Sequence, residues 1–130
     1  MARASVAEVM TRQVVYLPGE TTLDEAAQAM RDQAIGDVVV THGPTMTGMV
    51  TDRDIVVRAI AEGLPPNTTT LGRIATHELI MVEQTATVDE AVQAMSERGV
   101  RRLLVCDADR QLVGIISLSD VALLAASAHA

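Results

Sequence analysis

The chain is nearly devoid of aromatic side chains: it has no Trp, no Phe and one Tyr, Tyr16. Any core must therefore be built from Val, Ile, Leu, Met and Ala, and a hydrophobic content of 48% suffices for one. The same scarcity removes the platforms on which single-stranded nucleic acid stacks. Positive charge is also short. Ten Lys and Arg face 17 Asp and Glu, for a formal net charge of −7, which argues against broad binding to a phosphate backbone. A local basic pocket for a small anion stays compatible with that balance. One cysteine, Cys106, allows no intramolecular disulfide and no Cys-x-x-Cys spacing. The first ten residues, MARASVAEVM, lack the apolar core of a signal peptide. No run approaches the ~20 apolar residues of a membrane helix. The expectation is a soluble cytoplasmic protein with no nucleic-acid or membrane partner. Its 130 residues fit one compact body.

What is present is a repeat. Residues 22–30 read TLDEAAQAM and residues 87–95 read TVDEAVQAM, identical at seven of nine positions, with apolar exchanges at the other two. Similarity at a fixed offset across half the chain marks two copies of one supersecondary unit. In the first copy, Ser5 and Glu8 have capping-box spacing ahead of a short helix. A β-branched strand over 14–17 ends at Pro18-Gly19. Thr22 and Glu25 make a second capping box, and Leu23, Ala26, Ala27, Met30 and Ala34 fall on one helical face. Gly36 is the expected C-terminal cap. Strands over 37–41 and 46–51 form a hairpin around His42-Gly43-Pro44, and a helix with Ile55, Val56, Ala59 and Ile60 follows.

The second copy runs in the same order. It has a short helix over 71–75, a strand over 79–82, a helix capped by Thr87 and Glu90 and ended at Gly99, strands over 102–106 and 112–117, and a last helix from Ser119. The expected organisation is a first repeat over 1–62, a linker over 63–70 (GLPPNTTT) and a second repeat over 71–130. Each repeat is helix-strand-helix-strand-strand-helix, an α/β (α+β) class.

The informative segments are Gly48-Met-Val-Thr51-Asp-Arg-Asp54 and Gly114-Ile-Ile-Ser117-Leu-Ser-Asp120. Each sets a hydroxyl at a strand end and an aspartate three residues on, in the first turn of a helix. Unpaired N–H groups and the dipole there favour an anion. The hydroxyl can bond a phosphate, and the acceptor-only carboxylate suits ribose hydroxyls. Glycine permits close backbone approach. The plainer reading is that Thr51 and Ser117 are N-caps and the aspartates complement the dipole. Both can hold, because a ligand can recruit a cap hydroxyl.

The duplicated Gly-x-x-Thr/Ser-x-x-Asp pattern resembles a tandem pair of CBS domains, a Bateman module, over residues 5–124. The Thr51-Asp52-Arg53-Asp54-Ile55-Val56 run and the 63–68 linker resemble the stand-alone actinobacterial type, such as the hypoxic response protein. The resemblance implies pseudo-two-fold packing of the repeats and a non-enzymatic regulatory module. Its ligand would be an adenosyl compound (AMP, ADP, ATP or S-adenosylmethionine), held in clefts between the repeats and signalled to a separate effector protein. No cofactor is required, and a homodimer is the expected assembly. On this pattern Thr51 and Ser117 would meet phosphate, and Asp54 and Asp120 the ribose. Arg53 and Ser119 would lie beside them, and the lead-in stretches Thr11 to Val14 and Thr76 to Leu79 would touch the base. Many members carry proline where this chain has Val39 and Leu104, so a backbone donor is added at each.

Other readings compete. A dimeric interaction scaffold or stress-response protein with empty clefts would use the apolar faces of helices 55–60 and 121–124. A metal-binding protein would need Cys106 to converge with His42, His77 and His129; solvated histidines and a buried cysteine are the plainer account. Arg53, Arg58, Arg101 and Arg102 suit phosphate or plain solvent exposure. The methionines read as packing. No nucleophile elbow surrounds Ser117, and no histidine lies near it in sequence.

Overall fold

The computed structural model describes residues 4–128; His129 lies outside them. Three capping boxes start three helices as their spacing predicts: Ser5 with Glu8, Thr22 with Glu25, and Thr87 with Glu90. They open α1 (Val6–Val9), α2 (Leu23–Gln33) and α5 (Val88–Arg98). The Thr22 and Thr87 N–H groups donate to the Glu25 and Glu90 carboxylates at 3.1 and 2.8 Å. Hydrogen bonds to Thr22, from its hydroxyl first and then its N–H, hold the Glu25 carboxyl below its ordinary range. At Glu90 the N–H of Thr87 leads and its hydroxyl follows.

The strands are β1 (Tyr16–Pro18), β2 (Asp37–His42), β3 (Thr45–Thr51), β4 (Met81–Glu83), β5 (Arg102–Cys106) and β6 (Leu112–Ser117). They make two sheets, ordered β1-β2-β3 and β4-β5-β6. In each, the first pair is parallel and the second antiparallel. The register slips after Val40 in one and after Val105 in the other, at corresponding points of the repeat. The expected strands over 14–17 and 79–82 begin later and are shorter, because Val15 and Ile80 precede the paired residues.

The end of α2 and the helix after β3 also depart from expectation. The C-terminal cap of α2 is Ala34, at φ 55° and ψ 46°, not Gly36. Gly99, the residue that matches Ala34 in the repeat, caps α5 in the same left-handed conformation. The helix after β3 begins as α3 (Asp52–Asp54) and continues as a π-helix over Ile55–Ile60. The wider winding shows in the Ala61 N–H bonded to the Val56 carbonyl at 2.9 Å and the Leu64 N–H bonded to that of Ala59 at 3.0 Å, both five residues back. Its counterpart, α6 (Leu118–Ala128), is α-helical.

The compact units are not the sequence copies. One is residues 15–79; the other joins the N-terminal residues through 14 to those from 80 onward. In the first, the short α4 (Leu71–Ile74) lies against the turn after β1: Leu71 and Gly72 N–H groups donate to the Thr21 and Gly19 carbonyls at 2.9 Å each. In the second, α1 takes the equivalent place, with Val6 and Ala7 N–H groups on the Ala86 and Gln84 carbonyls at 2.8 and 3.0 Å. The short helix that opens each copy thus completes the other one. Each unit has its own apolar core. Leu23, Ala26, Met30, Val38, Val50, Leu71 and Ile74 build one; Val6, Met10, Ala91, Met95, Leu103 and Ile116 build the other. Ala27 and Ala34, expected on the inner face of α2, are exposed.

Candidate functional site: a paired hydroxyl and carboxylate in each unit

In the 15–79 unit, β3 ends at Thr51 and α3 begins at once. The Thr51 hydroxyl accepts from the Asp54 N–H at 3.0 Å, and Asp54 Oδ2 accepts from the Thr51 N–H at 2.9 Å. The same reciprocal pair recurs in the other unit. Ser117 Oγ accepts from the Asp120 N–H at 3.2 Å, and Asp120 Oδ2 accepts from the Ser117 N–H at 3.0 Å. All four side chains are half-buried. The capping role read from the sequence is therefore present in both copies, and it fixes each carboxylate in the first turn of its helix.

The second oxygens of the two carboxylates have different neighbours. Asp54 Oδ1 lies 3.6 Å from Nε of Arg58, one turn along the helix. Nη1 of Arg58 donates to the Ile74 carbonyl at 3.0 Å, at the end of α4. Asp120 Oδ1 instead accepts from the Thr11 hydroxyl at 3.3 Å. Thr11 and Asp120 are 109 residues apart in sequence, so no local signal could announce their contact. The Asp54–Arg58 pair was readable from its i,i+4 spacing.

The lead-in stretches reach these sites through the unit exchange. Thr76 forms a two-way backbone pair with Met49 at 3.0 Å, and Thr11 one with Ile115 at 2.8 and 2.9 Å. Glycine is needed opposite them. A Cβ on Gly48 would stand 2.8 Å from the Thr76 carbonyl oxygen, and one on Gly114 2.8 Å from that of Thr11. The close approach that Gly48 and Gly114 permit is thus by the chain's own backbone. Val14 and Leu79 are half-buried and make no described bond to either aspartate, and Arg53 and Ser119 are exposed. The donors added where many CBS domains have proline are both used: Val39 N–H bonds the Val15 carbonyl at 2.9 Å, and Leu104 N–H that of Ile80 at 3.0 Å. Each ties the residue just before β1 or β4 to the middle strand of its sheet.

His77 sits on the Thr47 carbonyl through Nδ1 at 2.9 Å, His42 is exposed and Cys106 is buried. Among the described residues no three His, Cys, Asp or Glu side chains gather as metal ligands. Nor is any helix there long and apolar enough to cross a membrane.

Comparison with known proteins covers nearly all of the chain. The CBS domain model matches twice, over residues 6–60 and 71–127. Hypoxic response protein 1 of Mycobacterium tuberculosis is 37% identical over 116 residues, covering 88% of this chain and 80% of that protein. A crystal structure of hypoxic response protein I with two coordinated zinc ions is similar at a TM-score of 0.70 and 36% identity, covering 92% of this chain and 98% of that one. An uncharacterized protein of Methanopyrus kandleri is 34% identical over 122 residues; the match takes in 93% of this chain and 62% of that longer protein. The CBS domain pair of protein MJ0100, in complex with 5′-methylthioadenosine and S-adenosyl-L-methionine, shares the fold at a TM-score of 0.81 and 22% identity, over 96% of this chain and 98% of that one.

Proposed function

The chain belongs to the CBS-domain family, and from that premise we propose that it is a regulatory module that binds an adenosyl ligand in each unit and passes its bound state to a partner protein. CBS-domain proteins are generally regulatory modules rather than enzymes. The observation that carries the ligand reading is the repeated pair of Thr51 with Asp54 and Ser117 with Asp120. Each is a cap whose carboxylate is held by one backbone N–H and has lone pairs left over. Two ribose hydroxyls can donate to such an acceptor, and a phosphate can share the cap hydroxyl. The ligands held by the MJ0100 pair belong to the same adenosyl class. AMP, ADP, ATP and S-adenosylmethionine are the candidates, and the working assembly is a homodimer in the cytoplasm.

The test is thermal unfolding with each candidate. Ligand at about 100 times its dissociation constant stabilises a fold by roughly 2.7 kcal/mol, a rise of several degrees for a chain of this size. The rise should shrink when either Asp54→Ala or Asp120→Ala is introduced and vanish in the double variant. A shift that survives the double variant removes the ribose role from both aspartates.

A second reading rests on exposed apolar side chains. Val56, Val57 and Ile60 are 58%, 46% and 53% exposed on one closing helix, and Leu123 is 69% exposed on the other. These suit an interaction scaffold. No response to any adenosyl ligand, with self-association lost in Ile60→Asp, would favour it.

A further inference from the structure

The two carboxylates are equivalent in the repeat but not in their surroundings. Asp54 faces a guanidinium, whereas Asp120 faces a neutral hydroxyl. The position that matches Arg58 in the second copy is Leu124, so the difference is written into the chain. Arg58 is anchored by its Nη1 on the Ile74 carbonyl at 3.0 Å, which keeps its Nε 3.6 Å from Asp54 as an ion pair. A ribose that uses Asp54 must share an oxygen whose negative charge the guanidinium already partly offsets. A hydroxyl on Asp120 displaces or shares only the Thr11 hydroxyl.

Charge further along each site leans the same way. Around Thr51 the chain carries Asp37, Asp52 and Arg53; the corresponding positions around Ser117 are Arg102, Leu118 and Ser119, with Arg101 in place of Gly36. With Arg58 counted, a ligand phosphate thus meets a balanced surrounding beside Asp54 and a net positive one beside Asp120.

We propose that the two sites are unequal by construction: the Ser117–Asp120 site fills first, and the Thr51–Asp54 site is held back by Arg58, which acts as a specificity-determining latch on its own carboxylate. This rests on the adenosyl-ligand reading above.

Calorimetric titration of the whole chain tests it, with adenosine to read the latch alone and AMP to add the phosphate. Wild type should show two steps severalfold apart with adenosine and further apart with AMP. Asp120→Asn, which keeps an acceptor for the Ser117 N–H, should remove the tighter step, and Asp54→Asn the weaker. Arg58→Leu should tighten the weaker adenosine step severalfold. Arg58→Gln, which can still donate to the Ile74 carbonyl without the charge, should do the same and guards against a folding artefact. Two equal steps, a tighter step that survives Asp120→Asn, or a weaker step unmoved by both Arg58 variants would overturn the inequality while leaving the ligand reading standing. Wild type that binds none of adenosine, AMP, ADP, ATP and S-adenosylmethionine would overturn both.

Discussion

Ala34 occupies a left-handed position that the other repeat gives to glycine. At φ 55° its Cβ crowds the following carbonyl, a conformation that costs an L side chain about 1 kcal/mol or more. Gly99 holds the matching place at φ 66° without that strain. Ala34→Gly should therefore raise stability by about 1 kcal/mol and Gly99→Ala lower it by a similar amount, read from the midpoint of urea unfolding. Equal losses from both would show that the conformation relaxes. The sequence held this information, since the repeat aligns Ala34 with Gly99, but the nearer Gly36 draws the eye as a cap. At Asp54 the reverse is true: capping spacing and the i,i+4 arginine are both local, so its neighbours are legible residue by residue. Asp120 shares the legible cap, but its Thr11 partner comes from the far end of the chain and is visible only in the fold.

At the scale of elements, periodicity and capping locate α2, α5 and both hairpins, because burial and cap bonds follow sequence spacing directly. The π-helix over Ile55–Ile60 was not readable. Its buried Ile55 and Ala59 are spaced as an α-helix would place them, and the wider winding is seen only in the hydrogen bonds that follow. The caps also make a pH prediction. Glu25 and Glu90 have carboxyls lowered from 4.5 by bonds to Thr22 and Thr87. A carboxyl depressed in the folded state adds stability above its unfolded value and loses it as pH falls through the folded one. The thermal midpoint should therefore decline as pH drops below about 4.5, and the decline should be shallower in Glu25→Gln with Glu90→Gln. An unchanged slope in that double variant would mean other carboxylates govern acid unfolding.

For the molecule as a whole, the exchange of short helices decides what can be removed. Val6 and Met10 are buried in the core of the unit made by residues from 80 onward. A chain begun at residue 15 should lose about 3–5 kcal/mol from that unit, from two apolar side chains and the contacts they leave open. Amide hydrogen exchange should accelerate over 102–106 and 112–117 and stay slow over 37–42 and 45–51. Uniform acceleration would show that the two units unfold as one. Sequence similarity could not foretell this division, since it compares neighbours along the chain whereas packing joins residues about a hundred apart. The arrangement also bears on how the protein is made. A chain leaves the ribosome from its N-terminus at about 5–20 residues per second. Residues 15–79 can close on themselves as soon as α4 emerges. The segment that carries α1 and Thr11 is synthesised well before the unit it completes, so its apolar side chains cannot be fully covered until α5, β6 and α6 have all been translated.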